Sequence, residues 1–225
     1  MDVVYFLKER TRMIRQYYAT ASYPFQEIIR KIDIEEEPFV PPYSEDSEPA
    51  FLTEWLEANE MLQVTGRCCL SLLSGSLQLY FKTWERNLGI ECGKLKKGIV
   101  QGYKECFSSL PRVDWSTCPV ELSLLEQVVL ARNRDQHPEN IWTLNVTHSE
   151  RDLRNHPSPF FIREDERGLL DGDEDSRMLM SAHLHVSSEL LQTAITQVET
   201  FCDWLEPQLF RAMYPNYRGN SNAAS

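Results

Sequence analysis

A mainly α-helical bundle is the fold class this sequence predicts, and three observations predict it. Apolar residues recur at threes and fours over long stretches, most clearly from Phe51 to Trp84. Strand-like runs, short and rich in aromatic and β-branched residues, are confined to Asn140–Asp175. The chain has 225 residues, 42% of them hydrophobic, enough for one sizeable core and a single domain over 1–225.

Taken in order, Val3 to about Ala21 reads as a helix with an imperfect apolar stripe of Val4, Phe6, Leu7, Met13, Ile14, Tyr17 and Tyr18. Pro24 separates it from a short helical piece over Phe25–Ile32, and the acidic, proline-rich run from Glu35 to Pro49 reads as a loop. The longest element spans about Glu48–Leu88, with Gly66 and Gly75 as candidate kinks. A basic connection carrying Lys94, Lys96 and Lys97 leads to a short helix over about Ile99–Leu110, stopped by Pro111. Val120–Gln136 is the next helix, with Ser116 or Thr117 available to cap it. The segment at about 140–176 reads as an insertion, a small β-hairpin or irregular excursion. A last helix runs from Ser176 or Ser187 to Met213, and a frayed tail is expected over 216–225.

Composition excludes several classes. The richest apolar run, Cys68–Phe81, is short and interrupted by serines, Gly75 and Gln78, so no membrane span is expected. The amino-terminal residues lack the basic start and apolar core of a secretory signal. Six cysteines show no metal-site spacing, and with Cys68 and Cys69 adjacent, a reducing cytoplasm is the expected compartment. A net charge of −11 repels polyanions, which excludes a broad nucleic-acid-binding surface and leaves room only for a local basic cleft. No metal or cofactor is expected: His183 and His185 are two residues apart, about 200° on a helix, and no phosphate loop or zinc motif occurs.

Chemistry is concentrated in Arg132-Asn133-Arg134-Asp135-Gln136-His137-Pro138, which closes the apolar helix from Val120. Arg132 continues the Leu125 and Val128 stripe. Five residues on a helix turn through about 500°, leaving Arg132 and His137 some 140° apart. Pro138 pushes the residue before it out of the helical region, so the chain is expected to leave the helix at His137 and swing the imidazole back toward Arg132. A neutral imidazole can take the proton from a ribose 2′-hydroxyl, and a guanidinium can hold the scissile phosphate as its charge grows. Asn133 would orient either group. Arg134 suits a backbone phosphate contact or a surface pair with Glu126 or Asp135. The same spacing recurs at Arg151 and His156, and Arg132 with His137 also suits a purely structural helix terminus.

The arrangement of this helix between a long helix and a carboxy-terminal one, with Arg132, Asn133 and His137 at its end, resembles the HEPN superfamily, whose signature is Arg followed four to six residues later by His, commonly with a polar residue after the arginine. The resemblance covers residues 51–136 and 183–213 in architecture and six residues in motif. It implies a helical bundle that dimerises so that two motifs line one cleft. In many members it implies a metal-independent endoribonuclease of toxin or antiphage systems, leaving a 2′,3′-cyclic phosphate, with an antitoxin or other protein as a partner. The tyrosine that some toxin members carry two residues after the histidine is Glu139 here. The alternative is a non-catalytic protein of the same architecture that binds a partner protein or nucleotide.

Overall fold

In the computed structural model, residues 2–43, 48–93, 95, 97–111, 113–137, 145–170 and 182–215 are described. Among them are seven α-helices: α1 Val3–Asp33, α2 Leu52–Leu88, α3 Ile99–Phe107, α4 Leu122–Gln136, α5 Glu150–Asn155, α6 Arg167–Leu170 and α7 Ser188–Met213. The mainly helical bundle is therefore what the chain forms.

α1 and α2 make an antiparallel hairpin. Trp55 Nε1 donates to Asp33 Oδ1 at 3.2 Å near the turn, and Tyr18 lies beside Cys69 midway along. α7 packs against the inner side of both helices. Lys8 pairs with Asp203 at 2.8 Å, Arg15 pairs with Glu199 at 2.9 Å, and the Tyr80 hydroxyl donates to the Cys202 carbonyl at 3.3 Å. α4 closes the second layer beside α7. The core is one cluster, built mainly from Leu70, Leu73, Leu77, Phe81 and Trp84 of α2, Leu125 and Val128 of α4, and Leu191, Ile195, Val198, Phe201 and Leu205 of α7. Each such side chain contributes about 1.5–3 kcal/mol by leaving water.

Carboxylates from distant parts of the chain complete two helix starts. Glu206 of α7 accepts from the amides of Val3 and Val4 at 2.9 and 2.7 Å. Glu126 of α4 accepts from Ile99, Val100 and Gln101 at 3.0, 2.8 and 3.3 Å. In each case an anion sits where a helix presents unpaired N–H groups.

Two expectations need correction, at Pro24 and at the start of α4. α1 continues through Pro24 instead of breaking there. Pro24 and Thr20, the residue whose carbonyl loses a partner, are both exposed, so water serves that carbonyl while packing on α2 holds both halves in line. α2 runs as one helix through Gly66 and Gly75. α4 is preceded by Glu121 with no side-chain cap, because Ser116 and Thr117 are taken up in a separate 3-10 turn capped by Asp114. Of the segment at 140–176, expected as a small β-hairpin or an irregular excursion, the described residues form α5, a 3-10 turn at Glu164–Glu166 and α6, with no strand; one isolated bridge joins Thr147 to His183. Residues 138–144 and 171–181 and the tail 216–225 lie outside the described residues. Among the described residues no helix is long and apolar enough to cross a membrane.

The structure also joins Cys92 to Cys106 in a disulfide, Cα atoms 5.3 Å apart, tying the connection after α2 to α3. The sequence reading left these two unpaired, and the cysteines thus do not carry the expectation of a reducing compartment.

Candidate functional site

The end of α4 is fixed to α2 by one buried cation. Arg67 is only 6% exposed, and its guanidinium donates to Asp135 Oδ1 and to Glu60 Oε1, each at 3.1 Å. Asp135 belongs to the motif segment but faces α2, so it anchors the helix end rather than joining the candidate chemistry. The neighbouring turn is set by Val128, Val129 and Ala131, which are buried in the core and bring Arg132 up half-buried beside them.

Arg132 Nη1 donates to Asn133 Oδ1 at 3.0 Å. Among the described residues no carboxylate pairs with this guanidinium, so the partner that orients it is neutral and leaves its charge uncompensated there. His137 is exposed and ends α4 at φ −130° and ψ 62°, its amide donating to the Asn133 carbonyl at 3.0 Å. The chain thus leaves the helix at the residue before Pro138. Arg132 and Asn133 are brought together; no hydrogen bond among the described residues joins the His137 ring to Arg132.

Arg134 faces another way. It pairs with Asp152 of α5 at 3.4 Å, its side chain 19% exposed, and not with Glu126 or Asp135. Together with Gln127, Ala131, His148, Asp152, His156 and Phe161 it lines a narrow cleft between α4 and the α5 segment, with room for little more than a water molecule. Phosphate contact by Arg134 requires release from Asp152 and opening of this cleft.

Sequence reasoning did not foresee that two histidines close the cleft. His148 is largely buried; its Nε2 donates to the Phe161 carbonyl at 2.9 Å, and the same oxygen accepts from the His185 amide at 3.1 Å. Burial holds both the His148 and His185 rings below the ordinary histidine pKa of 6.5 and so favours their neutral forms. His156 Nδ1 lies 3.0 Å from Ser123 Oγ, tying the end of α5 to α4. The only signal for this in the sequence is the polar run Asn145–His156 itself, which does not reveal its partners.

Among the described residues no cluster of three or more His, Cys, Asp or Glu side chains is placed to hold a metal ion. His183, expected to share no metal with His185, bonds Glu166 Oε1 at 3.1 Å. No protein-family model matches the chain, and no curated protein or solved structure is similar enough to match.

Proposed function

We propose that this chain is a metal-independent endoribonuclease of the HEPN type, with a toxin or antiphage-defence role. The observation that carries the reading is the half-buried Arg132, oriented by neutral Asn133, one turn before an exposed imidazole at the helix end. His137 takes the proton of a ribose 2′-hydroxyl, and the oxygen attacks the adjacent phosphorus. Arg132 holds the phosphate as negative charge builds, and the bond to the 5′-oxygen breaks to leave a 2′,3′-cyclic phosphate and a 5′-hydroxyl protonated from water. Asn133 keeps the guanidinium in place, and Arg134 adds a phosphate contact once freed from Asp152. RNA as substrate, a homodimer, a cytoplasmic setting and an antitoxin or other protein partner belong to the same proposal.

A second reading, a non-catalytic helical protein that binds a partner protein or nucleotide, is favoured by the Arg134–Asp152 pair and by the tightness of the adjacent cleft. Cleavage of a labelled RNA in EDTA separates the two. The ribonuclease reading expects cutting that survives chelation and falls by about 100-fold or more in both His137→Ala and Arg132→Ala. Absence of cutting, or cutting that neither substitution affects, moves the assignment to the binding protein.

A further inference from the structure

The outer side of the α1–α2 hairpin, turned away from α7 and α4, carries an apolar row that none of the described residues covers. On α2 the row is Met61, Val64, Cys68, Leu72 and Leu79, at 42%, 36%, exposed, 52% and 48%, with Gly75 between the last two. These positions lie about half a turn round the helix from the buried Leu70, Leu73, Leu77 and Trp84. A Cβ built at Gly75 meets nothing within 4 Å, so the row dips there. On α1, Phe6, Met13 and Tyr17 are 57%, 57% and 50% exposed, about half a turn from Lys8, Thr11 and Arg15, which face α7. The register set by Tyr18 beside Cys69 and Asp33 beside Trp55 brings Phe6, Met13 and Tyr17 level with about Lys82, Gly75 and Ser71 of α2, alongside the second half of its row.

The same face of α2 continues at each end with charge. Glu54 and Glu57 precede the apolar row, Lys82 and Arg86 follow it, and all four are exposed. Among the described residues none of the four makes an ion pair. The order along the face is therefore acidic, apolar, basic, and it is nearly symmetric about the level of Leu70: Glu54 mirrors Arg86, Glu57 mirrors Lys82, Met61 mirrors Leu79, Cys68 mirrors Leu72, and Val64 falls near Gly75. A helix with this pattern is complementary to a reversed copy of itself. A twofold axis lying in the plane of the face and perpendicular to α2 supplies that copy.

We infer that this face is the homodimer interface, formed by α2 lying antiparallel on α2 of a second copy with the two α1 rows meeting along one edge. Eight side chains of this size, each about half exposed, present on the order of 700 Å². That is above the few hundred Å² of apolar patch usual on a monomer and close to the roughly 800 Å² per partner of a stable interface. Each acidic end meets the basic end of the other copy, and Val64 enters the dip at Gly75. Rotation about the twofold axis keeps each helix on its own side of α2, so the two α4 helices lie along one flank of such a dimer and the two α1 helices along the other. The inference stands on the exposed face of the α1–α2 hairpin and does not rest on the ribonuclease reading.

The test is sedimentation equilibrium on the full chain with a charge swap. The wild type is expected to dimerise, Leu72→Glu to be monomeric with unchanged helicity, and Glu57→Lys or Lys82→Glu alone to weaken dimerisation about tenfold. The double variant Glu57→Lys/Lys82→Glu is expected to recover it. These residues are 25 positions apart on one continuous helix, about 37 Å, so recovery reports a contact between copies. A monomeric wild type, a dimer indifferent to Leu72→Glu, or a double variant as weak as the singles overturns the inference. RNA cleavage plays no part in the readout, so failure of the ribonuclease reading is seen separately.

Discussion

Arg67 is charged and buried, while its two anionic partners, Glu60 and Asp135, keep 27% and 24% of their side chains exposed. Removing the cation alone leaves two carboxylates facing each other at the α2–α4 contact. Breaking a buried pair costs about 3–5 kcal/mol, and the partial exposure of both carboxylates puts Arg67→Ala at the lower end, about 3 kcal/mol. Arg67→Met, which keeps the volume, is expected to cost less. Urea midpoints of the two variants check this, and a loss below about 1 kcal/mol in Arg67→Ala means that the pair does not anchor the end of α4. The sequence displayed Arg132, Asn133 and His137 because they are close in the chain and Pro138 marks where the helix must stop. It could not display Arg67 with Asp135 or Arg134 with Asp152, since those pairs are set by how α2 and α5 come to lie beside α4, across 68 and 18 residues. A local pattern shows which groups are present; tertiary packing decides which of them are neutralised.

At the level of elements, α2, α3, α4 and α7 were readable to within a few residues because long amphipathic stretches state their own period. α1 was cut short because Pro24 signals a break locally, whereas a solvent-facing proline supported by 31 residues of packed helix does not produce one. For the 145–170 segment the sequence left a small hairpin and an irregular excursion both open, and its described residues contain no strand. Its β-branched and aromatic residues suit strands, yet Phe161 and Ile162 are buried outside any strand, and the Phe161 carbonyl is taken by the His148 ring and the His185 amide. This segment carries a pH dependence. His148 and His185 have folded pKa values below 6.5, so as pH falls the unfolded chain takes up protons first. Their contribution to stability is fully present above 6.5 and is lost as pH falls below it toward the folded values. The expected outcome is faster amide exchange in 145–162 at pH 5.5 than at pH 7.5, after correction for intrinsic rates. In His148→Gln, which keeps a donor for the Phe161 carbonyl, the excess is expected to shrink. An exchange pattern with the same pH response in variant and wild type rules His148 out as its source.

For the molecule as a whole, charge bears most directly on function. With a net charge of −11, the chain offers a polyanion few places to bind, and the acidic-to-basic order along α2 was invisible to a reading that took this helix simply as a core element. One helix carries two rows, an inward one that builds the core and an outward one, and hydrophobic periodicity alone does not separate them. If RNA is bound only through the end of α4, Arg132 and Arg134 are the cations that meet phosphate. Each neutralised phosphate of a single strand contributes about −0.7 to the slope of log K against log salt. Two contacts therefore predict a slope of about −1.4, falling to about −0.7 in Arg132→Ala. Fluorescence anisotropy with a labelled single-stranded RNA, using cleavage-deficient His137→Ala as the parent and adding Arg132→Ala to it, measures both. A slope steeper than about −4 demands a basic track, which a surface this acidic supplies only elsewhere than at α4, and would remove the α4 end from the RNA-binding role altogether.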